Sequence, residues 1–166
     1  MSMESSAVEL RRMSIAQWHA LARDGPVPPM RIFLEGDSMR PLIRRGRDRV
    51  TIVPLTRPLK RGDVVLFEFP PGRYVVHRVY RLRDGFVQTL GDHCWNPDPW
   101  MPERQVLGQV VQAERDRLRI PLDSTAASAF GRFWMALLPG RRAYFTFRHW
   151  CGVALRRMGL RGGEGT

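Results

Sequence analysis

Six short runs between residues 31 and 113 set the strongest limit on what this chain can become. They are RIFLE (31–35), RVTIV (49–53), DVVLFEF (63–69), RYVVHRVY (73–80), FVQTL (86–90) and VLGQVVQA (106–113). Together they are rich in valine and aromatic residues, each is too short for a stable helix, and Gly, Pro or Asp separates one from the next. Pro70-Pro71-Gly72 supplies the turn of one hairpin and Asp84-Gly85 that of another. Thirteen prolines and fifteen glycines favour strands joined by turns over a helical bundle. In 166 residues there is room for one domain with a real core and small appendages. The expected fold class is mainly β, with an antiparallel β domain over residues 31–120.

The flanks change period. Residues 7–23 predict an amphipathic helix with Leu10, Met13, Trp18 and Leu21 on one face and Val8 and Ile15 off it. Asp24-Gly25 ends it, and Pro26, Pro28 and Pro29 follow, so residues 1–30 read as an N-terminal helix and Pro-rich linker. Residues 121–166 read as a basic, aromatic helical tail. Within 126–166 lie two helical pieces broken at Pro139-Gly140, carrying seven aromatics, seven arginines and one acid, Glu164. Two roles are open for the tail: an amphipathic surface over 126–160 that lies on an anionic membrane, or a hairpin packed on the sheet with its arginines in water.

Net charge is +11, and Lys60 is the only lysine, so arginine carries almost all of it. Such a chain attracts anionic partners: nucleic acid, a membrane surface or an acidic peptide. A coding bias for arginine would give the same count. No DNA-reading element precedes the β region, which places nucleic acid below a peptide partner. The cysteines, Cys94 and Cys151, are far apart and form neither a metal pattern nor a disulfide framework. The N-terminus has no apolar h-region and no apolar run approaches 18 residues, so the expected location is cytoplasmic, with peripheral membrane contact as the open variant.

Acyl transfer on a serine needs a base within hydrogen-bond reach, a group to orient the base, and N–H donors for the oxyanion. One candidate of each type lies in the β region. Ser38 is expected to end the first strand, in GDSMRP, where Gly36 permits a tight turn and Pro41 stiffens the exit. Such a serine also suits an ordinary turn. His77 shares a strand face with Val75 and Val79 by the period of two, and a histidine in an apolar face needs a partner for each ring nitrogen. Asp92 and Asp98 sit in GDHCWNPDPW (91–100), a loop stiffened by Pro97 and Pro99, where aspartates either orient a base or cap backbone amides. His93 and Cys94 adjoin Asp92, but no second ligand cluster stands at usable spacing, so no metal or other cofactor is expected.

These motifs together resemble the signal peptidase I and LexA-type clan of serine peptidases. GDSMRP is similar to the serine box G-x-S-M-x-P, and LKRGDVVLFEFP to the strand that follows it. VVHRVYRL resembles the V-x-H-R-V box of the endoplasmic-reticulum and archaeal-type signal peptidases. TLGDHCWNPD resembles their T-x-G-D-x5-D box, and MPERQVLGQVV the closing strand. Five boxes run in order across about residues 31–113. The resemblance implies a small antiparallel β domain of the signal peptidase/LexA C-terminal type. It also implies Ser38 as nucleophile, His77 as general base and Asp98 as the carboxylate on His77, with Asp92 a supporting or alternative carboxylate. The bacterial type places a lysine where His77 stands, and Lys60 lies elsewhere, before R-G-D.

Two departures bear on function. Membrane-bound members carry a spanning helix before the serine box, and none is visible here. Many members have Ser or Thr two residues before the nucleophile, where this chain has Gly36, so the oxyanion would rely on backbone N–H groups, chiefly that of Ser38. The expectation is a serine endopeptidase that trims a peptide or protein precursor, oligomeric state undetermined. The alternative is a non-catalytic LexA-like basic module that binds nucleic acid or an anionic membrane surface.

Overall fold

The computed structural model describes residues 13–140. The second helical piece of the tail, Cys151 and the first twelve residues lie outside the described residues. The elements run α1 (Ile15–Asp24), β1 (Met30–Phe33), β2 (Arg49–Val53), β3 (Val64–Glu68), β4 (Tyr74–Arg83), β5 (Phe86–Leu90), β6 (Met101–Pro102), a 3-10 turn (Glu103–Gln105), β7 (Val106–Arg115), β8 (Leu118–Pro121) and α2 (Thr125–Ala136). The protein is mainly β: one antiparallel, curled eight-stranded sheet with short helices at its flanks.

The strand order is β1-β2-β7-β3-β4-β5-β6. One edge of β7 pairs with β2. Its other edge is shared, by β3 along the first half and β8 along the second. The β4–β5 hairpin turns at Asp84 and Gly85, both at positive φ (49° and 78°), the left-handed geometry a two-residue turn needs. The β3–β4 hairpin turns through Pro70-Pro71-Gly72, closed by the Arg73 N–H donating to the Pro70 carbonyl at 3.0 Å.

Both faces of the sheet are buried, which explains why its central strands are apolar without a break. On β3, Val64 and Leu66 join a cluster with Trp18, Ile43, Ile52 and Val110. Val65 and Phe67 point the other way, into a cluster with Val79, Val87, Met101 and Val106. The α1 helix starts at Ser14, whose side chain forms a capping box with Gln17, and it buries Trp18. The expected face of this helix is corrected in one respect. Ile15 and Leu21 flank Trp18 by about 60° on either side; Ile15 packs against the core, while Leu21 is exposed. Two strands were not foreseen: β6 has only two residues, and β8, LRIP, has four and ends in Pro.

Candidate active site

The site begins with the turn that carries Ser38. β1 ends at Phe33, so Ser38 lies in the connection to β2 and not at the strand end. Met39 and Ile43 are buried in the core and anchor this connection from below. Asp48, fully buried, braces it from its far end. Its carboxylate accepts the Arg44 N–H at 2.9 Å and the Arg115 Nε–H at 2.9 Å, and Arg115 also donates to the Leu42 carbonyl at 3.1 Å. Burial pushes the Asp48 carboxyl up, but the Arg115 and Arg44 hydrogen bonds outweigh it and hold the group below the usual carboxylate range. The Ser38 turn is therefore fixed at both ends, with Ser38 itself half-buried.

His77 stands in the middle of β4, 7% exposed, on the face shared with Val75 and Val79. The Phe67 ring meets the imidazole edge-on, with centroids 5.9 Å apart. Its Nδ1 is 2.7 Å from Asp98 Oδ2. The same oxygen accepts the Thr89 hydroxyl at 2.6 Å, and the Asp98 N–H donates to the Thr89 carbonyl at 2.8 Å. The Gln88 side chain in turn donates to the Asp98 carbonyl at 3.0 Å. Asp98 is thus bound to β5 through side chain and main chain before it meets the imidazole.

With Nδ1 engaged, Nε2 faces the serine segment. Gly91 is the point of closest approach. A Cβ at Gly91 would lie 2.7 Å from the Ser38 carbonyl oxygen, 2.7 Å from Cys94 Sγ and 3.0 Å from His77 Nε2. No side chain fits there, so Gly91 is what lets the serine turn, the loop and the imidazole converge. The Ser38 carbonyl accepts the His93 N–H at 2.7 Å, which ties the serine turn to the aspartate loop. Among the described residues, no hydrogen bond joins the Ser38 hydroxyl to His77. The two residues meet at one corner of the fold, on either side of Gly91.

Asp92 goes elsewhere. It is 2% exposed and takes a two-pronged ion pair from Arg78, Nε to Oδ1 and Nη2 to Oδ2, both 2.8 Å. Arg78, 1% exposed, also donates to the Gly62 carbonyl at 2.8 Å. Since successive residues of a strand face opposite ways, Arg78 lies on the reverse side of β4 from His77. Helix α2 covers it there. A Cβ at Gly131 would come within 2.6 Å of Arg78 Nη1, and the Trp134 indole N–H donates to the Asp92 carbonyl at 3.0 Å. Of the two carboxylates singled out in the loop, Asp98 meets His77 and Asp92 meets Arg78.

Sequence reasoning did not single out Thr89, Gly91, Arg78 or Trp134 for these parts. The first two lie in the stretch TLGD, where a Thr and a Gly two residues apart were a usable signal; the roles of Arg78 and Trp134 depend on the packing of α2. Among the described residues, no group of three or more His, Cys, Asp or Glu side chains is placed to hold a metal ion. No helix among them is long and apolar enough to cross a membrane.

Fold and site define a small mainly β protein with a carboxylate-oriented histidine facing a serine turn. In comparisons with known proteins, no family model matches the chain, and no curated protein matches it.

Proposed function

We propose that this chain is a serine endopeptidase resembling the signal peptidase and LexA-type clan, acting on an extended segment of a peptide or precursor protein. The observation that carries the reading is the Asp98–His77 pair at 2.7 Å, with the opposite ring nitrogen turned toward the Ser38 segment over Gly91. A carboxylate on Nδ1 fixes the tautomer that leaves Nε2 free to accept a proton.

In this reading His77 Nε2 takes the proton of Ser38 Oγ as the oxygen attacks the scissile carbonyl. The tetrahedral oxyanion is met by backbone N–H groups, chiefly that of Ser38. Its collapse breaks the peptide bond, and the proton on Nε2 passes to the leaving amine. A water then gives its proton to Nε2 and attacks the acyl-enzyme, releasing the second product and regenerating the hydroxyl. Asp98 steadies the imidazolium in both halves, and Thr89 holds Asp98 in place. Ser38 and His77 close to hydrogen-bond distance when substrate binds, as catalytic pairs that are loose in the free enzyme do. Asp92 takes no part, because its oxygens are committed to Arg78. In this reading the protein works in the cytoplasm, with peripheral membrane contact as the open variant.

The test is cleavage of a mixed peptide library by the purified full chain, read by mass spectrometry. The expected result is a defined set of cuts, after small residues as the resemblance implies, that Ser38→Ala and His77→Ala both abolish. The same cuts made at the same rate by Ser38→Ala would sink the mechanism.

A further inference from the structure

Helix α2 has two apolar sides, and the sheet uses only one. Gly131, Met135 and Leu138 turn inward and are buried. Phe130, Phe133 and Leu137, spaced i, i+3 and i+7, form a second stripe that turns the other way. They are 41%, 62% and 42% exposed. The Phe130 ring stacks on Trp134 with centroids 5.9 Å apart, which fixes one end of the stripe as a flat aromatic surface. Side chains of this size clustered in water on one helix mark a surface that something covers.

Charge indicates what covers it. The helix holds Arg132 and no acid. Arg141 and Arg142 follow the stripe in sequence, and residues 141–166 add Arg148, Arg156, Arg157 and Arg161 against the single acid Glu164. A second copy of a +11 chain would be repelled, whereas a negatively charged lipid surface would attract both the stripe and the arginines that follow it. Aromatic rings beside arginines are the composition of a helix that lies in a headgroup layer.

We infer that Phe130, Phe133 and Leu137 dock this protein on an anionic bilayer, with α2 lying in the plane of the interface. The helix is tied to Asp92 through Trp134 and fits over Arg78 at Gly131, so the docking surface is joined directly to the aspartate loop. The inference stands apart from the peptidase reading, because it uses none of Ser38, His77 or Asp98.

The experiment is co-sedimentation of the full chain with phosphatidylcholine vesicles, plain or containing about 30% phosphatidylglycerol. The wild type is expected to sediment with the anionic vesicles and not with the neutral ones, more weakly as salt is raised. Phe130→Ser with Phe133→Ser should lower the partition coefficient at least about tenfold, because two large apolar side chains no longer leave water. Phe133→Trp should keep it, and Ser38→Ala should bind as wild type does. Both changed positions are exposed, so equal melting temperatures are expected and are checked alongside. Undiminished binding by the double serine variant would overturn the inference, since arginines alone would then account for it. So would a wild type that ignores anionic vesicles, or one that instead forms a dimer that Phe133→Ser breaks.

Discussion

His77 and Arg78 are neighbours on β4, and each takes an aspartate from the same loop. The resemblance ends there. The His77–Asp98 pair keeps contact with solvent, with side chains 9% and 23% exposed. The Arg78–Asp92 pair is sealed, at 1% and 2%. One residue along the strand separates the faces, and α2 covers the second. An imidazole next to water, oriented on one nitrogen and open on the other, can move a proton. A guanidinium buried under a helix, with each of its three nitrogens hydrogen-bonded, can only hold things together. The loop 91–98 thus serves both faces, and its structural half fixes where its candidate catalytic half sits.

The contrast can be broken from the structural side first. Arg78→Met leaves Asp92 charged, buried and without its guanidinium, and is expected to cost about 3–5 kcal/mol. Adding Asp92→Leu should recover most of that, because two apolar side chains replace the pair without an orphan charge. Denaturant unfolding of both variants reads the difference. If Arg78→Met alone is harmless, the sealed pair is not what anchors the loop.

Thr89→Val tests the other half. It keeps shape and burial but removes the hydroxyl from Asp98 Oδ2, a hydrogen bond to a charged group of about 1.5–3 kcal/mol. Cleavage is expected to fall about tenfold in kcat with little change in KM, since Asp98 then holds the imidazole less firmly. Gly131→Ala puts a methyl against the Arg78 guanidinium and should cost about 1–3 kcal/mol by overpacking, without altering the cleavage of whatever folds. The smallest effect comes from acid. Because the Asp48 carboxyl titrates below its ordinary value of 3.8, it contributes stability above that pH. The contribution is lost as pH falls through the lower folded value. Asp48→Asn should therefore flatten the acid limb of a stability–pH profile between about pH 5 and pH 2.

Much of the fold was legible because its signals are local. RVTIV and FVQTL coincide with β2 and β5, and the Asp84-Gly85 turn sits where positive φ was needed. β6 and β8 were not, since two residues carry no period and the four of LRIP, closed by Pro, are too few to mark one; both are strands because β5 and β7 present free edges to them. On α1, period alone could not say whether the sheet would lie on the Ile15 or the Leu21 side of Trp18. In the site, Ser38, His77 and the two loop aspartates could be named from residue type and order, and the choice of Asp98 over Asp92 came from the resemblance. Arg78 could not, because an arginine next to a core histidine in a strand reads as the solvent side. Its burial depends on Gly131, more than fifty residues on, having no side chain.

In the proposed function, Asp98 serves chemistry and Asp92 serves structure. Asp98→Asn and Asp92→Asn, each measured for melting temperature and for cleavage rate per folded molecule, test it most directly. Asp98→Asn is expected to melt close to wild type and to cleave roughly a thousandfold to ten-thousandfold more slowly. Asp92→Asn should melt well below wild type, and its folded fraction should cleave at nearly the normal rate. Normal cleavage by Asp98→Asn, or cleavage abolished by Asp92→Asn in a protein as stable as wild type, would contradict it.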